Sequence, residues 1–191
     1  MLIGSRQRLS QVITDPQLQI RSEKIKRVST TKTLGVMVDE CITWDKHIDQ
    51  VTRKVSKGIG LLRRSKDLVN KISLDTIYQV LVLPHFNYCA LVWDNCSITL
   101  QNKLEKLQNK AGRIITGDSY DTPSDIVIKK LGWEILYDRR KVQLSSLMKK
   151  LVRGENNNNV TELFSLSNRP CYNLRSNNRV LSLPQPNTNA F

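Results

Sequence analysis

The spacing of apolar residues changes once along this chain, near residue 43. Before it, apolar residues come in short runs with β-branched content, at 12–13, 18–20, 24–28 and 34–38. Polar clusters such as Arg21-Ser22-Glu23 separate them, which predicts short strands and turns. So few strands, with one face to bury, need another layer to pack on. Beyond residue 43 the period becomes helical. Over 44–65, Ile48, Val51, Val55, Ile59 and Leu62 fall in one narrow arc of a helix. Thr43 is the expected N-cap, Asp45 suits the positive first turn, and Gly58 and Gly60 weaken the helix slightly.

Residues 73–93 are mostly apolar and contain no Lys or Arg, so this segment is expected at the buried centre. Ser73 is its expected cap, with Asp75 in the first turn, and Pro84 predicts a kink or break just before it. In 98–116, Leu100, Leu104, Leu107, Ala111 and Ile114 share one helical face, with Lys103, Lys106, Lys110 and Arg113 along its flank. Thr122-Pro123-Ser124-Asp125 reads as a helix start with Pro at its first position, and Gly132 as the stop. A last helix is expected over 134–153, apolar at Leu144, Leu147, Met148 and Leu151 and ended by Gly154. The Asn tract at 156–159 and the Ser-, Asn- and Pro-rich stretch after it predict a flexible tail. The expected fold class is therefore α+β, mostly α. Residues 1–43 form a small β part, 44–153 a bundle of about five helices, and 154–191 the tail.

Charge adds a direction to this picture. The formal net charge is +13, with a pI near 9.8, so polyanions are attracted. The excess is local: residues 44–72 hold eight Lys and Arg against three acids, and 129–153 hold eight against two. On the first long helix Lys46, Arg53, Lys57 and Arg64 fall in a single arc opposite the apolar one. A solvated face is the common origin of such a stripe. A row of cations free of interleaved acids, facing away from the core, also suits a line of phosphates, and that reading is preferred here. Lys129, Lys130, Arg139, Arg140 and Lys141 extend the track or serve the fold. Asp138 and Glu134 are available as their partners, and the two readings balance.

Other chemistry finds little support. Cys41, Cys89, Cys96 and Cys171 are widely and irregularly spaced, so free thiols in a reducing, nuclear or cytoplasmic setting are expected, not secretion. The first residues lack the apolar stretch of a signal peptide, no window is apolar enough to span a membrane, and the sequons at Asn95 and Asn159 are then chance matches. His85-x3-Cys89-x6-Cys96 lacks the close ligand pairs of structural zinc sites. With two histidines, and with Gly58-Ile59-Gly60 lacking the rest of a phosphate-loop fingerprint, neither a nucleophilic site nor a nucleotide loop is supported. Trp44, Trp93 and Trp133, each beside apolar neighbours, are expected as packing anchors instead of base-stacking platforms.

A string of short motifs carries a more specific signal. Thr33-Leu34-Gly35-Val36-Met37-Val38-Asp39 is followed by Trp44-Asp45-Lys46-His47-Ile48, then by Tyr78-x-x-Leu81-Val82-x-Pro84 and Tyr88-Cys89-x-x-x-Trp93. Leu104-x-x-Leu107-Gln108-x-x-Ala111-x-Arg113-Ile114-Ile115, Leu131-Gly132-Trp133, Asp138-Arg139-Arg140 and Tyr172-Asn173-Leu174-Arg175-Ser176 continue it. In this order the string resembles the C-terminal part of non-LTR (LINE, jockey-like) retrotransposon reverse transcriptases, over roughly residues 1–180. The resemblance implies that Leu34, Gly35, Val36 and Asp39 lie in a primer-grip-like segment at the end of a palm. It implies that the helices after Trp44 are a thumb and its connection, and that Met1 is an internal methionine. The implied partners are RNA and DNA, as a template–primer duplex, with the palm and fingers upstream. Polymerases of this kind hold Mg²⁺ on palm aspartates, two of them adjacent. No Asp-Asp pair occurs in the 191 residues. The expectation is therefore a nucleic-acid-holding chain with no cofactor and no catalytic residues of its own, the intact polymerase being what requires Mg²⁺. A domesticated RNA- or DNA-binding module and the inert product of a decayed element are the alternatives.

Overall fold

The computed structural model describes residues 1–12 and 18–153. Residue 13, Gly154, the Asn tract, Cys171 and the Tyr172 motif lie outside them. The elements run α1 (Arg6–Ser10), β1 (Gln19–Ile20), β2 (Glu23–Lys24), β3 (Thr30–Thr33), β4 (Val36–Asp39), α2 (Asp45–Ser65), α3 (Lys71–Leu81), α4 (Leu83–Asn87), α5 (Ile98–Thr116), α6 (Ser124–Leu131) and α7 (Leu136–Arg153). This is the mostly helical α+β fold that the periodicity predicts. The chain divides into two units, Met1–Arg140 and Lys141–Phe191. In the described part of the second, residues 141–153 continue α7, with Val142, Leu144 and Leu147 exposed.

The strands form two separate hairpins, β1 with β2 and β3 with β4, both antiparallel. Thr33 pairs with Val36, so the connection is the two-residue turn Leu34-Gly35, where φ is +47° and +84°. Positive φ at both central residues is the turn whose twist suits a hairpin. The strand expected over 34–38 therefore begins two residues later, and that over 24–28 ends at Lys24. The short helix α1 was not expected. It is one turn capped by the Ser5 hydroxyl, which accepts from the Arg8 N–H, and one turn is too short to register as a period. Ile3, Leu18 and Ile20 around these first elements are more than half exposed.

The core lies between the helices. The predicted arc of α2 (Ile48, Val51, Val55, Ile59, Leu62) is buried against α3, α4 and α5. Leu74, Tyr78, Val82, Leu83, Phe86 and Trp93 from the 73–93 segment fill the centre, although Val80, Tyr88 and Val92 of the same segment are exposed. Pro84 sits near the start of α4, after a break at Val82, as its missing N–H requires. Asn70, not Ser73, caps α3: its carbonyl accepts from the Ser73 N–H at 2.8 Å. Pro123 precedes α6 and does not occupy its first helical position, while Gly132 ends that helix at φ +64° as expected. The buried face of α5 is turned slightly from the predicted one. Gln108 and Ile115 are buried, and Leu107 and Ile114 only partly.

Candidate nucleic-acid interface

Helix α2 presents the basic stripe. At 3.6 residues per turn Lys46, Arg53, Lys57 and Arg64 fall within about 40° of one another, and they span about 27 Å of helix axis. All four are exposed. Lys46 Nζ donates to the Thr30 hydroxyl at 3.3 Å, and among the described residues none of the four is ion-paired. Asp49, the acid nearest this line, is drawn aside by Lys103 of α5, 2.7 Å away.

The start of α2 is held unusually. Trp44 occupies the N-cap position at φ +68° with no side-chain cap of its own, and Thr43 does not cap as expected. Asp39, at the end of β4, takes that role. Its carboxylate accepts the Thr43 N–H, the Trp44 N–H and the Thr43 hydroxyl at 3.0–3.1 Å. Burial would raise this carboxyl, but those donors outweigh it and hold its pKa below the ordinary value. His47 adds a second tie, its Nδ1 accepting the Met37 N–H at 3.3 Å. The hairpin and the stripe are thus fixed to one another.

The four residues that the resemblance assigns to a primer-grip-like segment take separate positions. Leu34 stands 87% exposed at the tip of the hairpin and Val36 is buried in the core. Gly35 lies against the Tyr88 ring, which a Cβ would meet at 3.3 Å, and Asp39 is the cap just described. The Tyr88 hydroxyl donates to the Leu34 carbonyl at 2.6 Å and so braces the turn from α4's far end.

Arg140 is not on the surface. It is 3% exposed, its Nε donates to Asp94 at 2.6 Å, and its guanidinium lies over the Trp93 ring. A buried guanidinium needs such partners, and in this arrangement it meets no outside phosphate. Arg139 is half-buried and 4.0 Å from Glu134, one of the helical partners foreseen for it. Lys130 pairs with Asp118 at 2.7 Å. The start of α7 is tied to α5 by Glu105, whose carboxylate accepts the N–H groups of Leu136 and Tyr137. All three tryptophans are packing anchors: Trp44 donates to Asn95, Trp93 to the Tyr88 carbonyl, and Trp133 to Asp75 while stacking on Tyr78.

Sequence reading missed one feature. Beside the stripe lies a cavity of about 310 Å³ lined by Lys32, Gly35, Gln50, Lys54, His85 and Tyr88, among others. Its residues come from β3, the hairpin turn, α2 and α4, so no linear motif marks it. Burial, and then the charge of Lys54, lower the pKa of both His47 and His85 at this site. Among the described residues no three His, Cys, Asp or Glu side chains are grouped to hold a metal ion. Cys41, Cys89 and Cys96 are free thiols, and no described helix is long and apolar enough to cross a membrane.

Comparison with known proteins returns to the motif string. The chain is 29% identical over 149 residues to the probable RNA-directed DNA polymerase from transposon X-element of Drosophila melanogaster; the match takes in 75% of this chain and 16% of that protein. It is 28% identical over 128 residues, 63% of this chain, to the RNA-directed DNA polymerase from mobile element jockey of Drosophila funebris, 14% of which is covered. The chain thus spans about a sixth or less of the length of the curated relatives it matches. No family model and no solved structure matches it. By the order of its motifs and by these two relatives, the chain is related to the non-LTR retrotransposon reverse transcriptases of the jockey and X-element kind.

Proposed function

We propose that this chain holds the template–primer duplex of a retrotransposon RNA-directed DNA polymerase and does not polymerise alone. The observation that carries this reading is the α2 stripe, four exposed cations in one line about 27 Å long, equivalent to about eight base pairs of duplex. Lys46, Arg53, Lys57 and Arg64 meet phosphates, α2 acts as a thumb helix, and the β3–β4 hairpin stands at its N-terminal end as the primer-grip-like element. Arg139 is a lesser contact, and Arg140 supports the helix instead. The acidic pair that would carry the metal ions is not encoded in these 191 residues, so catalysis requires a palm and fingers that lie outside them. The test has two parts. A fluorescently labelled RNA–DNA duplex should bind the purified chain, and primer extension with Mg²⁺ and deoxynucleotides should give no product. Extension by this chain alone, or no measurable duplex binding at low salt, contradicts the reading.

A further inference from the structure

Helix α3 is apolar on two sides, and the fold covers one of them. Leu74 and Tyr78 are buried in the core. On the opposite side Ile72 is 79% and Val80 62% exposed, with Thr76 exposed between them. The three recur every fourth residue, so they form one row about 12 Å long. Thr76 adds little polarity to it, because its hydroxyl donates back to the Ile72 carbonyl at 3.0 Å. Leu68, in the turn that leads into the helix, is 82% exposed. Single apolar residues scattered over a surface are ordinary, whereas a row that no charge interrupts marks a contact. A helix apolar on both sides calls for a cover on both.

The charge around the row says what that cover is. From Lys66 to Leu81 the charged residues are Lys66, Asp67, Lys71 and Asp75, which sum to zero in a chain of net charge +13. No cation stands in the row, so it offers nothing to a polyanion. Two copies of so basic a chain repel one another over much of their surfaces, and here they can meet without opposing cations. We propose that the outer face of α3 is the contact of a homodimer, with the two α3 helices packed antiparallel across a twofold axis at Thr76. Such a contact is self-complementary: Ile72 of each copy lies on Val80 of the other. Lys71, the first residue of α3, then stands beside the last carbonyls of the other copy's α3, the negative end of that helix. A row this short buries less than the roughly 800 Å² per partner of a standard interface, so the dissociation constant should be on the order of 10–100 µM. Val82, at the end of α3, meets α2 at Gly58, about 120° around α2 from the basic stripe. The dimer therefore leaves both stripes open, and the proposal stands apart from the duplex-holding reading.

Sedimentation equilibrium of the full chain, treated with nuclease and examined from about 5 to 200 µM, tests it. The average mass should climb from one copy toward two. The climb should come at lower concentration in about 0.5 M than in about 0.15 M sodium chloride, because salt screens the repulsion between copies. Association that salt weakens would be bridged by polyanion and overturns the proposal. Thr76→Glu sets two like charges on the axis and should weaken the dimer by at least about tenfold, with the circular dichroism of the helices retained. Ile72→Lys should weaken it likewise, and Ile72→Lys with Val80→Glu should recover most of the loss, because antiparallel packing sets each new cation beside a new acid. Val142→Lys, at an exposed apolar residue of α7, should leave the association unchanged. A single-copy mass throughout, which would leave the row to a different partner, overturns the proposal, as does a dimer that Thr76→Glu leaves intact or that Val142→Lys weakens equally. A double variant no tighter than Ile72→Lys alone overturns the antiparallel arrangement.

Discussion

Gly58 and Gly60 stand two residues apart on α2, and alanine at each should shift stability in opposite directions. In an isolated helix each Gly→Ala change gains about 0.8–1 kcal/mol. At Gly60 a Cβ would meet only Arg64 Nη1, at 3.6 Å, which is ordinary contact, so the gain should survive almost whole. At Gly58 it would lie 2.7 Å from Val82 Cγ2, about 1 Å inside the usual carbon–carbon separation of 3.5–4.0 Å. Val82 is fully buried and β-branched, so it has no free rotamer into which to retreat. Overpacking of this kind costs about 1–3 kcal/mol, so Gly58→Ala should lose up to about 2 kcal/mol net of the helix gain. The two variants should then differ by about 1–3 kcal/mol, or roughly 2–12 °C in midpoint for a chain of this size. Urea and thermal unfolding, followed at 222 nm, measure it. Val82→Ala removes the obstructing methyl groups, and in that background Gly58→Ala should become stabilising by about 1 kcal/mol. A Gly58→Ala protein as stable as Gly60→Ala would refute the claim that α2 and the chain at Val82 approach through that glycine.

Three more outcomes follow from the site. Asp39→Ala should cost about 1–2 kcal/mol through loss of the cap. Because the folded carboxyl titrates below its unfolded value, the Asp39 contribution is present above about pH 4 and lost as pH falls through the folded pKa. Urea unfolding from pH 6 to pH 3 should show wild type losing stability that Asp39→Asn never had, and parallel pH profiles would exclude the cap. Arg140→Ala should destabilise by about 2 kcal/mol, at the low side for a buried pair because Asp94 keeps some water, while duplex affinity stays within about twofold; a large affinity loss in a folded protein would return Arg140 to the interface. Leu34→Asn should stabilise by up to about 1 kcal/mol, since a non-glycine residue at positive φ is strained and Asn tolerates that region. A drop in the urea midpoint would mean that the exposed Leu34 side chain makes contacts that the fold requires.

The long helices α2 and α5 were legible because each buries a stripe wide enough to imprint a period, and the buried arc of α2 is the one its sequence spacing marks, whereas α1 buries nothing and left none. The hairpin was legible only in part. Leu34 reads as a strand residue by composition, and nothing local announces that it will adopt φ +47°. The cap on α2 was misplaced for a related reason. Thr43 is the adjacent hydroxyl, but the chain turns through Ile42 and Trp44 at positive φ and delivers Asp39 from the end of β4 instead. Charge runs locate cations without telling which of them go inside. Arg140 was indistinguishable from Arg139 until Asp94 and the Trp93 ring were seen to receive it. The cavity was beyond sequence altogether, since Lys32 and His85 are brought together only by the docking of the hairpin on α2 and α4.

The central claim is that α2 tracks phosphates, and the salt dependence of duplex affinity tests it most directly. Each phosphate contact contributes about 0.9 to the slope of log affinity against log salt, so changing Lys46, Arg53, Lys57 and Arg64 to Ala should make that slope shallower by about 3–4. Removing the same charge elsewhere, with Lys24, Lys26, Lys106 and Lys110 changed to Ala, should alter it by less than about 1. Equal losses from the two quadruple variants would mean that net charge alone attracts the duplex, and the stripe would then have no special role.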